Sequence, residues 1–357
     1  MVQNARTIAK ALALVLAVFF AISYVVSLAL GPVLFFSTSD GLNVAVRRIH
    51  VIPVDFFMAI TVPIPLGVSF GALFAGVWVA FVICLIFAGL SRGGFIRSVR
   101  EVLTKSLSLA KANFLIVMPL VATSLLYATF LIQQFQETQG VQTGSLSFPP
   151  ATSPYVILLE LAFAPLREEF AFRITSIGIP LGIFLLFVYR SDRKVSGLKN
   201  KAKLILLAVA SPERAKSKLG YRNVDQNGFL RGISRLEWSL ILLTATVFGL
   251  AHYLLGGGWE VGKISTAFLA GLVFGIMYVV YGAYAPILLH GFFNYYFTVL
   301  DLADSTYGGA FHGFSNLVEF TNLAAGQVIL VVFLLVSAVK IADFLTLKAI
   351  GLSKRSA

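Results

Sequence analysis

Eight stretches of this 357-residue chain are apolar for long enough to cross a lipid bilayer, and no other feature restricts its fold so severely. A hydrocarbon core about 30 Å thick is crossed by roughly 20 consecutive apolar residues in helical form. Such runs occupy 8–34, 66–90, 113–134, 153–189, 237–255, 264–281, 284–300 and 324–347. Inside lipid, backbone N–H and C=O groups have no water to bond to, so each run must satisfy its own. The chain is therefore expected to be all-α, a polytopic transmembrane helical bundle of about eight spans. Composition agrees: 58% of residues are hydrophobic and 12% charged, against about 25% charged in a soluble domain, and mean hydropathy is +0.88. A water-soluble globular protein is excluded.

The net charge of +12 is concentrated in two loops between runs. Arg190 to Arg235 carries twelve Lys or Arg against Asp192, Glu213 and Asp225, and Ser91 to Ala112 carries five against Glu101. The linkers 135–152 and 301–323 contain no Lys or Arg, and 256–263 contains only Lys263. By the positive-inside rule both basic loops are cytoplasmic, and eight crossings then place the N and C termini there too, with Lys348, Lys354 and Arg355 in the tail. This placement assigns the basic charge to anionic membrane lipids as partners and not to nucleic acid. Leu204 to Ala210, flanked by lysines, reads as a short helix on the inner leaflet. The exception is Arg47 and Arg48 in the outside linker 35–65, whose apolar piece 51–61 is expected at the interface or dipping into the bilayer.

Two runs need comment. The first follows Arg6 and Lys10 as a signal peptide would, but it far exceeds a signal's apolar length and reads as a retained helix. The run 153–189 is too long for one straight crossing and is expected to break near Pro165, the Arg167 to Arg173 charges, or Gly178 and Pro180. The chain then divides into three N-terminal spans (1–152), a core (153–300) with the basic insert 190–235, and a last span with a basic tail (301–357). The single cysteine, Cys84, excludes an intrachain disulfide and a cysteine-cluster metal site.

Ionisable residues within spans are costly and by default mark function. Here they are grouped: Glu160, Arg167, Glu168, Glu169 and Arg173 in the fourth run, His252 in the fifth, His290 with Asn294 in the seventh. Glu169 and Arg173 are four apart, on one helix face, where they neutralise each other. Glu168 projects about 100° away, with only Arg167 beside it to offset its charge. An unpaired buried carboxylate is a candidate general base. Phe248 and His252 share a face at i and i+4, as do His290 and Asn294, which present imidazole and carboxamide donors suited to an oxyanion. Glu168, His252 and His290 equally make a candidate zinc set. His-Glu-x-x-His is absent.

Glu168-Glu169-x-x-x-Arg173, Phe248-x-x-x-His252 and His290-x-x-x-Asn294, in this order and each in an apolar segment, resemble the CAAX protease and bacteriocin-processing family of intramembrane proteases, the type II CAAX prenyl endopeptidases. The resemblance covers about 153–300. It implies Glu168 as the water-activating carboxylate, His252 as its partner at the water or a metal, Glu169 and Arg173 as supports, and His290 with Asn294 as oxyanion donors. The implied activity is hydrolysis of a peptide bond in a membrane-associated protein or peptide, C-terminally prenylated substrates included. Both a zinc-assisted and a metal-free glutamate route stay open, as does a non-catalytic scaffold or immunity role. The cell membrane is the expected location for a prokaryotic chain, and the endoplasmic reticulum also fits the topology. An ion-coupled transporter is disfavoured, since no repeated halves are present. Gly67 to Gly71 mimics a nucleophile elbow but opens a helix. Asp301 and Asp304 read as solvated helix-end carboxylates, and His50 and His312 as surface residues.

Overall fold

Apolar runs in lipid leave the backbone no alternative to the helix, and helices dominate. The computed structural model describes residues 2–58, 60–104, 111–192 and 195–353. The chain begins with α1 (Val2–Ser37) and α2 (Ser39–Ala45), then a hairpin of β1 (Arg48–Phe56) and β2 (Ile60–Ser69). There follow α3 (Phe70–Leu90), α4 (Phe95–Thr104) and α5 (Phe114–Thr138). Next, α6 (Pro154–Glu169) runs through a π-helical stretch, Phe170–Gly178, into α7 (Ile179–Val188). Four short helices come after it: α8 (Leu198–Ala210), α9 (Pro212–Leu219), α10 (Val224–Asn227) and α11 (Phe229–Gly232). Then come α12 (Arg235–Leu254), α13 (Lys263–Tyr281), and α14 (Tyr284–Gly291), which passes through a second π-helical stretch, Phe292–Tyr296, into α15 (Phe297–Tyr307). The last helix is α16 (Ala310–Ser353).

Among the described residues seven helices are long and apolar enough to cross a membrane, one fewer than the eight runs. The run 284–300 is the difference. It is helical from Tyr284 to Tyr307 but carries His290, Asn294 and several tyrosines, and it packs against α3, α5, α6 and α13. Ala285, Leu288, Leu289, Tyr296 and Val299 are fully buried. A helix walled by other helices has no need of an apolar surface towards lipid. The fourth run does not break: Pro154–Val188 is one span of 35 residues, and the irregularity is taken up by the π-helical stretch.

The linker 35–65 and the basic insert are both folded. The apolar piece 51–61 lies in an antiparallel hairpin, β1 with β2, in the register Val51↔Pro65, Pro53↔Pro63 and Asp55↔Thr61. Two prolines facing one another form no cross-strand amide bond. Pro53, Pro63 and Pro65 therefore blunt the outer edges of the ribbon, where an N–H would invite another strand. The insert 190–235 is a folded unit, and the expected helix at 204–210 lies within α8. Leu181, Leu185, Val195, Leu204, Ala208, Ala215 and Leu219 form its core, and fully buried Lys216 bridges Glu237 at 2.9 Å and Glu213 at 3.3 Å.

Two close approaches position the site. Gly249, Gly271 and Gly275 line the contact of α12 with α13, and a Cβ on Gly271 would lie 3.1 Å from Ala245 Cα and 3.2 Å from the Phe248 ring. Small residues let such helices come together without bulky side chains between them. A Cβ on Gly178 would strike the Tyr278 hydroxyl and the Val209 backbone, and Tyr278 donates that hydroxyl to the Val209 carbonyl at 2.7 Å.

Candidate active site

The sequence places two carboxylates side by side at the end of α6, and the structure gives them different surroundings. Glu169 is fully buried: its Oε1 receives Arg173 Nη1 at 3.0 Å and His290 Nδ1 at 2.9 Å. Arg173 is also fully buried; its Nη2 donates to the Gly271 carbonyl at 3.1 Å. The guanidinium lies over the Phe248 ring at 4.6 Å, with Phe274 at 5.4 Å and Phe172 at 5.6 Å. The expected Glu169–Arg173 pair thus exists, walled by aromatic faces that attract a cation, and it ties α6, α13 and α14 together.

Glu168 is the freer carboxylate. Its side chain is 21% exposed, and its Oε2 lies 3.8 Å from His290 Nε2 without a hydrogen-bond partner among the described residues. Arg167, its neighbour in sequence, does not neutralise it: Arg167 Nε stands 3.0 Å from Asp55 Oδ2 on the hairpin. Asn294 Nδ2 reaches His290 Nε2 at 3.3 Å. His252 Nδ1 faces the Phe248 carbonyl at 2.8 Å, so Nδ1 carries the hydrogen and Nε2 is the free acceptor. The Phe248 ring meets both imidazoles, His252 at 4.6 Å and His290 at 6.0 Å. That ring thus bridges the two imidazoles. Glu168 lies close enough to His252 and to Lys263 to act on both electrostatically.

All seven residues singled out from sequence, Glu168, Glu169, Arg173, Phe248, His252, His290 and Asn294, therefore meet in one place. Glu160 is exposed and apart from it. Asp55 and Thr175 at the hairpin contact, Phe274 beside His290 at 5.1 Å, and Lys263 against Trp259 at 3.8 Å were not found by sequence reasoning. A carboxylate at Asp55 inside an otherwise apolar stretch was the available signal.

Both histidines have Nδ1 engaged by an oxygen, the orientation metal-bound histidines adopt, and Glu168, His252 and His290 are suitable donors for zinc. Yet no group of three or more His, Cys, Asp or Glu among the described residues is gathered so as to hold a metal ion.

Fold and site together define a polytopic membrane protein with a buried glutamate and histidine centre. Residues 150–296 match the family Type II CAAX prenyl endopeptidase Rce1-like. That segment is a domain of this family, which is one of intramembrane proteases, and the chain is an integral membrane protein carrying a hydrolase domain. No curated protein and no solved structure matches the chain.

Proposed function

We propose that the chain is a glutamate-dependent intramembrane endopeptidase acting on a membrane-associated protein or peptide, with prenylated C-terminal sequences as the first substrate class to test. The observation that carries this reading is the division of labour between neighbouring carboxylates. Glu169 is fully buried with Oε1 engaged by both Arg173 and His290, whereas Glu168 is 21% exposed, with an unpartnered oxygen facing His290.

In this mechanism Glu168 takes a proton from water, and the water oxygen bonds to the scissile carbonyl carbon. The unprotonated Nε2 of His252 orients that water. The developing oxyanion is met by Asn294 Nδ2–H and by His290, whose Nδ1–H is held by the Glu169 carboxylate. A carboxylate on the far nitrogen steadies the imidazole and fixes the direction of its Nε2 edge. As the tetrahedral intermediate collapses, the C–N bond breaks and Glu168 passes its proton to the leaving amine. The products are a new carboxylate and a new amine.

Wild-type protein and Glu168→Ala, purified into nanodiscs, would be compared on an internally quenched farnesylated peptide, and in cells by mass spectrometry of new protein termini at matched expression. Loss of a general base is expected to cost about 10²–10⁴ in kcat, and Asn294→Ala about a hundredfold. Full activity in Glu168→Ala, with no change in cellular termini, overturns the reading.

A further inference from the structure

Glu168 keeps a free carboxylate only while Arg167, one residue away, is occupied elsewhere. What occupies it lies outside the segment that matches the protease family. Asp55 Oδ2 stands 3.0 Å from Arg167 Nε, while Asp55 Oδ1 accepts the Thr61 hydroxyl at 2.6 Å from the facing position on β2. The two oxygens of Asp55 thus have separate partners, and its carboxylate is oriented before Arg167 reaches it.

The hairpin is itself fastened to the π-helical stretch that follows the glutamates. Phe57 N–H donates to Thr175 Oγ1 at 2.9 Å. The Phe56 and Phe170 rings meet edge to face at 5.2 Å, and Met58 packs against Ala171, Phe172, Phe248 and Ala267. Phe57 and Met58 take φ of 47° and 69°, a left-handed conformation disfavoured for side chains of this size. That turn persists because contacts on both sides hold it, and it delivers Asp55 to Arg167.

We infer that Asp55 is a positioning residue for the glutamate base: it retains the Arg167 guanidinium on the hairpin side and so keeps it from pairing with Glu168. The inference rests on reading Glu168 as the base. The other charged groups around Glu168 are already engaged. Arg173 is bound to Glu169 and the Gly271 carbonyl, Glu169 to Arg173 and His290, His290 to Glu169 and Asn294, His252 to the Phe248 carbonyl, and Lys263 lies on the Trp259 ring. Arg167 is therefore the cation that loss of Asp55 releases.

The test needs no natural substrate. Thermal unfolding in nanodiscs would be measured for Glu168→Gln in three backgrounds: wild type, Asp55→Asn, and Asp55→Asn with Arg167→Gln. Such a cycle isolates the coupling between groups. With Asp55 present, Glu168→Gln removes an unpaired carboxylate and leaves Tm unchanged or raised. In Asp55→Asn it breaks a new Arg167–Glu168 pair and lowers Tm. With Arg167 also removed, the lowering disappears. Equal shifts in all three backgrounds overturn the inference.

A second arm uses the farnesylated quenched peptide. Asp55→Asn is expected to lower kcat about tenfold or more, because a cation beside a carboxylate weakens it as a base, with KM little changed. Adding Arg167→Gln restores most of the loss. A hairpin acting merely as structural support gives no such rescue, and absence of rescue overturns the inference. Should Asp55→Asn fail to fold, Thr61→Val removes one of the two holds on Asp55 and is expected to give the same pattern in weaker form. Absence of cleavage by wild type and every variant overturns the peptidase reading, and the unfolding arm then decides the role of Asp55 by itself.

Discussion

At the scale of single residues, the centre is built so that one buried charge pair serves two ends. Glu169 and Arg173 are both fully buried, so deleting one partner strands the other in an apolar interior. Arg173→Leu is expected to cost about 3–5 kcal/mol, whereas changing both Glu169 and Arg173 to Leu recovers much of it. Thermal unfolding of the single and double variants checks this, and a double variant less stable than the single would contradict it. Activity is lost in the double variant, since the hold on His290 Nδ1 goes with Glu169. This part of the site was legible in the sequence because the i and i+4 spacings of Glu169 with Arg173, Phe248 with His252, and His290 with Asn294 are local properties of a helix. The commitment of Arg167 to Asp55 was not legible, because the two residues are far apart in the chain and are joined by a hairpin whose alternation is masked by three prolines.

At the scale of elements, the basic insert shows how far charge counting reaches. Its surplus of cations located it correctly between spans, but said nothing of the buried Lys216, Glu213 and Glu237 that fix it to the start of α12. Ser234 and Glu237 cap that helix reciprocally, Ser234 N–H donating to Glu237 Oε2 at 2.7 Å. Burial lifts the Glu213 carboxyl above its ordinary value of 4.5, although Lys216 and the Asp225 N–H oppose the shift. The folded chain consequently holds that proton more tightly than the unfolded chain does. The stability this contributes is complete below the ordinary value and is lost as pH rises through the raised one. In Glu213→Gln the fall in Tm over that interval should flatten, as thermal melts at a series of pH values would reveal; an unchanged slope would count against it. The run 284–300 falls outside the seven strongly apolar helices for a related reason: α14 and α15 face protein, and hydropathy registers what faces lipid.

On the scale of the whole molecule, the bundle has two chemically distinct ends. At one, 142–147 runs beside 257–262, with Ser147 N–H to Gly257 O and Gly262 N–H to Gln142 O both at 2.9 Å. The hairpin leans on Phe248 and Ala267 nearby. At the other, Arg92 binds Asp225 and the Val280 carbonyl, and Ala283 N–H reaches Ala210 O at 3.0 Å, gathering both basic loops. The positive-inside rule predicts that the second end faces the cytoplasm. In a Cys84→Ala background, Ser217→Cys should react with an impermeant maleimide only after the membrane is opened, and Ser145→Cys should react in intact cells. The reverse pattern would invert the orientation.

The π-helical stretch between Phe170 and Gly178 has a further consequence. A π-turn is an α-helix carrying a surplus residue, and each residue turns an α-helix by about 100°. Removing one, for instance Ile174, would let α6 and α7 close into a regular helix of almost the same length and apolarity. The span would survive, but every side chain after the deletion would be rotated relative to Glu168 and Glu169, and Thr175 would leave the Phe57 amide. A cooperative melt without cleavage is the expected phenotype of such a deletion, and retained cleavage would refute it. Membrane insertion and catalysis are thus written in different features of the same helix: the first in its composition, the second in its count of residues.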